Sequence, residues 1–299
     1  MIGTRNKMKI KYLLLALRPK QWVKNLFIFS PLIFGGKLFI YPANLKTAIA
    51  FVLFCLAASV VYLANDLIDL EKDKLHPKKR LRPIASGKVT VDQTKIAALI
   101  LGIISIVLSF MLSGSFGWVV VTYLTFNLLY SKILKEAVII DVFCIAAFFL
   151  LRIIAGAVVA EVSMSYWIVI MTALLALFLG FNKRRQEVVT LEEKAASHRK
   201  VLIKYDPYFI DQMIAVITSS IVVVYMLYTV DANTVREFGS NHLIYTIPFV
   251  YYGIFRYLYL IHRRNEDGDP TDILISDRKT QLNIVLWAAV CILVLYYGV

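Results

Sequence analysis

The chain has 299 residues, of which 59% are hydrophobic and 18% charged, and its formal net charge is +13 at pH 7. With a mean hydropathy of +0.70, this composition excludes a soluble globular protein, which carries more charge and shorter apolar runs. Several apolar runs approach the roughly 20 residues that a helix needs to span hydrocarbon. The sequence therefore predicts an all-α, polytopic membrane protein. No basic recognition module is visible, so a nucleic-acid partner is not expected.

The predicted elements begin with a basic N-terminal segment, residues 1–24, whose apolar run is too short for a cleaved signal peptide. We expect this segment to lie at the membrane interface as an amphipathic helix. Apolar windows then predict nine transmembrane helices in a single domain that covers residues 1–299. These helices lie at about 25–40, 46–65, 94–113, 117–131, 138–160, 165–182, 209–230, 243–262 and 281–298. The three cysteines are far apart in apolar runs, which indicates packing residues rather than a disulfide or a zinc site.

Positive charge separates the loops between these helices into two sets. When the loops are assigned alternately to the two sides, the set with the N-terminal segment has 28 Lys and Arg residues and the other has 3. The positive-inside rule then places the N-terminus in the cytoplasm and the C-terminus outside, in an inner or plasma membrane. Of the 20 acids, 16 lie on the cytoplasmic side. A polar chamber at the cytoplasmic mouth and a set of solvated loops explain these acids equally well.

The most informative stretch follows the second predicted helix and reads "ANDLIDLEKDKLHPKKRLRPIASG". Asn65, Asp69 and Asp73 are four residues apart, and Asp66 lies three before Asp69, so a continuing helix would place all four on one face. Like charges at this spacing repel. Mg²⁺, which prefers carboxylates and phosphate oxygens, would offset that repulsion, so the spacing predicts a metal–phosphate site. The alternative is an acidic patch that pairs with nearby lysines.

The second half of this stretch is basic and includes Lys79 and Arg82. Prolines and a glycine interrupt it, so residues 66–93 are predicted to form a structured cytoplasmic loop at the active site rather than another span. Lys and Arg side chains there would neutralise a pyrophosphate and stabilise it as it leaves. The departure leaves a carbocation-like carbon, which an apolar chamber would protect from water.

Two motifs in this stretch resemble those of the UbiA family of intramembrane prenyltransferases: "NDLIDLEKD" matches its NDxxDxxxD, and "RPIASG" matches its RP-x-x-SG. The resemblance covers nearly the whole chain and implies nine helices around a central chamber open to the cytoplasmic side. It implies that Asp66, Asp69 and Asp73 are catalytic and hold Mg²⁺. The neighbouring residues expected to bind substrate are Asn65, Lys79 and Arg82.

The chain departs from the family pattern after the sixth predicted helix. Family members that alkylate aromatic acceptors carry a second motif there, roughly D-x-x-x-D, whereas this chain reads "GFNKRRQEVVTLEEK". The place of the acids is occupied by three bases, Lys183, Arg184 and Arg185. Glu187 is the one nearby candidate ligand for a second Mg²⁺. Residues 183–208 are predicted to form the second cytoplasmic loop of the active site.

Two further stretches, "LRPKQWVKNLFIFSPLIFGG" and "EDGDPTDILISDRK", resemble the branch of the family that makes decaprenylphosphoryl-5-phosphoribose. The resemblance implies phosphoribosyl pyrophosphate (PRPP) as the donor and polyprenyl phosphate as the acceptor. These substrates carry two more anionic groups than a prenyl diphosphate and an aromatic acceptor. Lys183, Arg184 and Arg185 would bind those groups.

Two other functions compete with this expectation. One is transfer of a prenyl group from its diphosphate to an aromatic or haem-like acceptor, against which the missing second motif counts. The other is a transporter or lipid-binding scaffold without chemistry, which would not need the aspartates. The sequence leaves the oligomeric state open, a homo-oligomer included.

Several residues near the expected cytoplasmic mouth are further candidates. Lys24 would hold either the lipid phosphate or the donor's 5-phosphate, or would simply anchor the chain at the interface. Tyr130 and Lys132 close the fourth predicted helix and are expected to bind substrate there. Asp141 and Arg152 lie in or at the edge of the fifth predicted helix, where a charge is costly, so each should face a partner or a cavity. Ion pairing and catalysis are both open for these two.

Overall fold

The computed structural model describes residues 11–191, 205–264 and 276–298, and throughout these ranges it contains helices and turns but no β-strand. Residues 11–16 are helical, and a 3₁₀ helix follows at Pro19–Phe29. The α-helices with complete bounds are α1 (Ser30–Phe34), α2 (Ala43–Ile68), α3 (Leu70–Leu75), α4 (Val91–Leu112), α5 (Gly114–Lys132), α6 (Ile140–Ala160), α7 (Tyr166–Leu191), α8 (Pro207–Val230), α9 (Ala232–Phe238), α10 (Ile247–Arg264) and α11 (Arg278–Tyr297). The predicted all-α class is confirmed.

Within the described ranges, seven helical segments are long and apolar enough to cross a membrane, which makes the chain an integral membrane protein. They are Ala43–Ile68, Val91–Leu112, Ile140–Ala160, Tyr166–Val189, Pro207–Val230, His242–His262 and Arg278–Tyr297. Each corresponds to one of the nine predicted spans. An eighth predicted span is present as α5, a helix of 19 residues that is not among the seven.

The first predicted span, at about 25–40, has a different form from the one expected. It is a 3₁₀ helix of 11 residues joined to the five-residue α1, and Gly36 with φ 69° follows α1. Pro19 opens the 3₁₀ helix and Pro31 lies at the start of α1, and each proline removes one backbone donor. The nine continuous spans are therefore not confirmed, and residues 1–10 of the predicted interfacial segment lie outside the described ranges.

The chain forms two compact units. The first comprises residues 1–32, 40–137 and 151–162, and the second comprises 33–39, 138–150 and 163–299. The first unit contains α2 to α5 and the second half of α6; the second contains the first half of α6 and α7 to α11.

In the first unit, α2 packs against α4, α5 and the 3₁₀ helix. The second half of α6 approaches that 3₁₀ helix at Gly156, where an added Cβ would lie 2.0 Å from the backbone oxygen of Ile28. Arg152, one turn earlier on α6, is buried, and its Nε donates to Oδ1 of Asn25 at 2.8 Å. Its guanidinium also lies over the ring of Tyr123. The expectation that this intramembrane charge faces a partner is confirmed.

In the second unit, α7 packs against α8, and their apolar side chains form a buried core with residues of α6 and α10. Gly180 of α7 lies where an added Cβ would come within 2.7 Å of Cγ1 of Val142 on α6. The two helices are therefore in close contact one turn before the predicted basic run.

Candidate active site

The acidic motif lies at the end of α2, in the first unit. Asp69 interrupts the helix with φ −95° and ψ 11°, and α3 continues the chain from Leu70. The backbone N–H of Asp69 still donates to the carbonyl of Asn65 at 2.9 Å, and that of Asp73 to the carbonyl of Asp69 at 2.8 Å. Because these bonds keep helical spacing across the break, the expected shared face is retained. Glu71 lies outside that face and is exposed, in an ion pair with Lys74.

Two of the motif's aspartates converge on one arginine. Nη1 of Arg82 lies 2.5 Å from Oδ2 of Asp73 and 3.2 Å from Oδ1 of Asp66. Arg18 forms a second ion pair with the same oxygen of Asp66. The Asp66 side chain is only 3% exposed, so its charge is held by two guanidinium groups in a largely dry position.

The other two polar residues of the motif contact one residue at the end of α5 and one in the 3₁₀ turn that follows it. Nζ of Lys135 lies 3.0 Å from Oδ1 of Asp69, and its side chain is 8% exposed. Oγ of Ser131 donates to Oδ1 of Asn65 at 2.5 Å. Sequence reasoning named neither residue as a ligand of the motif, although Asn127, Ser131 and Lys135 recur every four residues along α5 and the 3₁₀ turn that follows it. That spacing was the available signal.

The other predicted substrate-binding residues of the first unit differ in exposure. Lys24 is half-buried in the 3₁₀ helix, and Lys79 is half-buried in the turn after α3. Tyr130 is half-buried and Lys132 is exposed. Their substrate-binding roles stay predictions.

The predicted basic run lies in the second unit and is helical, because α7 continues to Leu191 instead of ending before Lys183. Nε of Arg184 donates to Oδ2 of Asp141 at 2.6 Å, and Nη1 of Arg184 forms an ion pair with Glu187. Arg185 binds Asp211 through two nitrogens, at 2.5 and 3.3 Å. Two of the three predicted bases are therefore paired with acids. Residues 192–204 of the predicted loop lie outside the described ranges.

The acidic motif offers carboxylate oxygens to a divalent cation. Across the described residues, no three His, Cys, Asp or Glu side chains come together in a ready-made metal site. Asp66 and Asp73 nevertheless reach the same nitrogen of Arg82, and Oδ2 of Asp66 is buried without a hydrogen-bond partner. A buried carboxylate oxygen without a partner is costly, and such oxygens are the ligands that Mg²⁺ prefers. These two residues fit a divalent cation.

Comparison with known proteins identifies the family. The sequence pattern of the UbiA prenyltransferase family matches residues 28–276. The chain belongs to the UbiA prenyltransferase family. The match extends through residues of both units, and the resemblance inferred from the two motifs is confirmed.

Solved UbiA structures share the fold of this UbiA protein. A UbiA homologue from Archaeoglobus fulgidus bound to DMAPP and Mg²⁺ has a TM-score of 0.69 at 17% identity, with 96% of this chain and 99% of that chain covered. The same homologue bound to Cd²⁺ has a TM-score of 0.67 at 17% identity, with 95% and 99% covered. At this identity the likeness shows the fold.

Curated relatives of the UbiA protein are more similar in sequence. Decaprenyl-phosphate phosphoribosyltransferase of Mycobacterium tuberculosis is 34% identical over 278 residues, which cover 92% of this chain and 91% of the relative. The protein of that name from Mycolicibacterium smegmatis is 32% identical, with 96% and 93% covered. That from Corynebacterium glutamicum is 33% identical, with 94% and 86% covered. The UbiA protein is therefore an enzyme, a transferase of this superfamily.

Proposed function

We propose that this enzyme transfers the 5-phosphoribosyl group of PRPP to a polyprenyl phosphate and releases pyrophosphate. The observation that carries the proposal is that three relatives named decaprenyl-phosphate phosphoribosyltransferase are 32–34% identical over at least 92% of the chain. The acidic motif and its arginines support it, because cations stabilise the negative charge that develops on a departing pyrophosphate. The arginines are such cations, and the carboxylates are suitable ligands for a metal ion.

In the proposed reaction, the bond between ribose C1 and the pyrophosphate oxygen breaks, and its electron pair leaves with pyrophosphate. An oxygen of the polyprenyl phosphate forms the new bond to C1. Arg82 and Lys79 would bind the departing pyrophosphate, since charge-assisted hydrogen bonds from such groups stabilise the developing charge. Asn65, held by Ser131 at 2.5 Å, would orient the donor.

We propose that Asp66, Asp69 and Asp73 hold Mg²⁺ when the donor is bound, and that Glu187 is a candidate ligand for a second ion. The ion would supply charge that offsets the pyrophosphate. The support within the chain is the convergence of Asp66 and Asp73 on Arg82 and the unpartnered Oδ2 of Asp66. Arg82, which pairs with Asp66 and Asp73 in the structure, would then bind the pyrophosphate oxygens.

The donor's 5-phosphate and the acceptor phosphate require additional cations. We propose Lys183 and Arg185 for these phosphates. The rest of the proposed substrate-binding set is Lys24, Tyr130 and Lys132. Arg184 was also expected to bind substrate. Its side chain is 1% exposed and paired with Asp141 and Glu187, which favours a role in holding Glu187 over direct contact with substrate.

The proposed orientation places the N-terminus and the acidic motif in the cytoplasm and the C-terminus outside, on the basis of the 28-to-3 distribution of Lys and Arg. All three native cysteines are buried, so introduced cysteines can be labelled selectively. A membrane-impermeant maleimide should label Lys78→Cys in inverted vesicles and Lys37→Cys in right-side-out vesicles. The opposite pattern would reverse the proposed orientation.

The function is tested by incubating the purified protein with Mg²⁺, PRPP labelled in its ribose, and polyprenyl phosphate. We expect labelled phosphoribose in the lipid fraction and one pyrophosphate released for each lipid product. Folded protein that forms neither product would contradict the proposal.

A further inference from the structure

Four polar side chains of the second unit form a continuous hydrogen-bonded chain, which we call the buried polar chain: Tyr205, Asp141, Arg184 and Glu187. The hydroxyl of Tyr205 donates to Oδ1 of Asp141 at 2.7 Å. Oδ2 of Asp141 accepts from Nε of Arg184 at 2.6 Å. Arg184 then pairs with Glu187 through Nη1. The proposed reaction gives Tyr205 and Asp141 no role.

Burial along this chain is graded. Asp141 is fully buried, and Arg184 and Tyr205 are 1% and 4% exposed, whereas the side chain of Glu187 is 32% exposed. Burying a charge is costly unless it is paired and hydrogen-bonded. The buried polar chain therefore connects paired groups in the interior to the Glu187 carboxylate, which solvent or a ligand can reach.

The proton of Tyr205 has a defined direction. Its hydroxyl oxygen accepts the backbone N–H of Ile139 at 2.7 Å, so its single proton is directed to Asp141. Burial and the hydrogen bond to Asp141 raise the pKa of Tyr205 well above its usual range, which keeps that proton in place. Ile139 has φ 69°, an unfavourable conformation for a β-branched residue. Such strain persists only where the surroundings hold it.

The helix geometry brings these groups together. Asp141 lies in the first turn of α6, and the close contact of Gly180 with Val142 brings α7 against that turn. Arg184 follows Gly180 by one helical turn, and Glu187 lies three residues further on the same side of α7. A larger residue at position 180 would separate α7 from α6 and lengthen the bond between Arg184 and Asp141.

We infer that Tyr205, Asp141 and Arg184 are positioning residues that hold the Glu187 carboxylate in one orientation for binding of the phosphoribosyl donor. This inference rests on the proposed function, in which Glu187 contacts the donor or its cation. A carboxylate fixed before the ligand arrives loses less conformational freedom on binding and binds more tightly. Arg184 acts through Glu187 and does not contact the substrate.

The first test needs no substrate. Carbodiimide coupling of an amine to Glu187, followed by mass spectrometry, reports how firmly the carboxylate is held. We expect Tyr205→Phe and Asp141→Asn to raise its labelling rate about two- to tenfold, the change expected for loss of one hydrogen bond. Asp211 pairs with Arg185 and does not belong to the buried polar chain, so it should label at an unchanged rate. Equal Glu187 rates in both variants and the unchanged protein would overturn the inference.

Tyr225→Phe is the matched control variant. Its hydroxyl is also buried in the second unit and bonds to Thr246 and Trp287 instead of the buried polar chain. It should lower the melting temperature without changing the labelling of Glu187. If Asp141→Asn fails to fold, Tyr205→Phe still provides the test, because it removes a single oxygen and keeps the ring.

The second test separates positioning from a purely structural role. Tyr205→Phe should raise the KM for PRPP a few-fold with kcat nearly unchanged, and should add nothing to the effect of Glu187→Gln in the double variant. Equal effects of Tyr205→Phe in both backgrounds would overturn the inference. If labelling behaves as expected but the unchanged protein does not use PRPP, the proposed function fails and the positioning role stands.

Discussion

The ammonium of Lys135 lies 3.0 Å from Oδ1 of Asp69, although the two residues are 66 positions apart in the chain. With this contact, each aspartate of the motif has a cationic partner, because Arg82 and Arg18 pair with the other two. The acidic motif is therefore one half of a mixed-charge cluster built from several segments of the first unit. Such a cluster can bind both a cation and an anion, as a metal–pyrophosphate group requires.

Neutralising an aspartate of this cluster should stop the reaction. Asp73→Asn keeps the size of the side chain but removes the charge that faces Arg82 at 2.5 Å. We expect product formation from PRPP to fall at least a hundredfold, the order of effect of removing one preorganised electrostatic group. Glu71→Gln, on the exposed side of α3, is the control and should retain activity. An Asp73→Asn enzyme with normal turnover would remove this residue from the site.

Lys135 should contribute more to the reaction than Lys132. Lys135 is buried against Asp69, whereas Lys132 is exposed on the last turn of α5. Truncating Lys135 to Ala leaves Asp69 without this partner, so kcat/KM for PRPP should fall by about tenfold or more. Lys132→Ala should cause a smaller loss, measured in the same assay. A larger effect of Lys132→Ala would contradict the arrangement at the end of α5.

The contact between Asp69 and Lys135 shows what the sequence could and could not predict. The four-residue spacing of Asn65, Asp69 and Asp73 is a local property, and local helical geometry determines the face that they share. The partners of that face depend on how α5 packs, which no spacing within the motif specifies. The four-residue spacing of Asn127, Ser131 and Lys135 indicates Lys135, but in the sequence the nearby Lys132 is an equally good candidate.

The same limit applies to the basic run and to the first predicted span. Three adjacent bases predicted an anion site, but Arg185 pairs with Asp211 from the next helix, 26 positions away. Apolar content alone predicted a long helix at 25–40. Pro19 and Pro31 restrict the backbone there, and the chain forms a 3₁₀ helix and a short α-helix instead.

Gly156 should be required for stability of the first unit. A methyl group at this position would lie 2.0 Å from the carbonyl oxygen of Ile28, so Gly156→Ala forces α6 and the 3₁₀ helix apart. We expect a loss on the order of 1–3 kcal/mol, as for other overpacked sites. Gly102→Ala is the matched control, because its added Cβ meets only Val60 at 3.9 Å. It should be neutral or stabilising by up to ~1 kcal/mol. Thermal unfolding in detergent measures both.

The ion pair between Arg256 and Asp277 should make stability depend on pH. Hydrogen bonds from Arg256 at 2.8 and 3.1 Å, together with those from Thr280, hold the pKa of Asp277 well below its usual range. The stabilisation is fully present above the unfolded-state pKa of about 3.9 and is lost as pH falls further towards the folded-state value.

Asp277→Asn tests this dependence, since Asn still caps α11 but carries no charge. The variant should be less stable by roughly 1.5–3 kcal/mol at pH 7, and the difference should shrink below about pH 4. Melting temperatures across pH 3–8 measure it, with Asp92→Asn on the exposed start of α4 as the control. A difference that stays constant to pH 3 would contradict the lowered pKa.

The choice of donor tests the central claim most directly. One preparation of the purified enzyme is divided between two reactions, both with Mg²⁺. The first contains PRPP and polyprenyl phosphate, and the second contains a prenyl diphosphate and an aromatic acceptor. We predict lipid-linked phosphoribose and stoichiometric pyrophosphate in the first reaction, no alkylated acceptor in the second, and no product in the first with Asp73→Asn. Alkylation of the aromatic acceptor, with PRPP left intact, would contradict the proposed function.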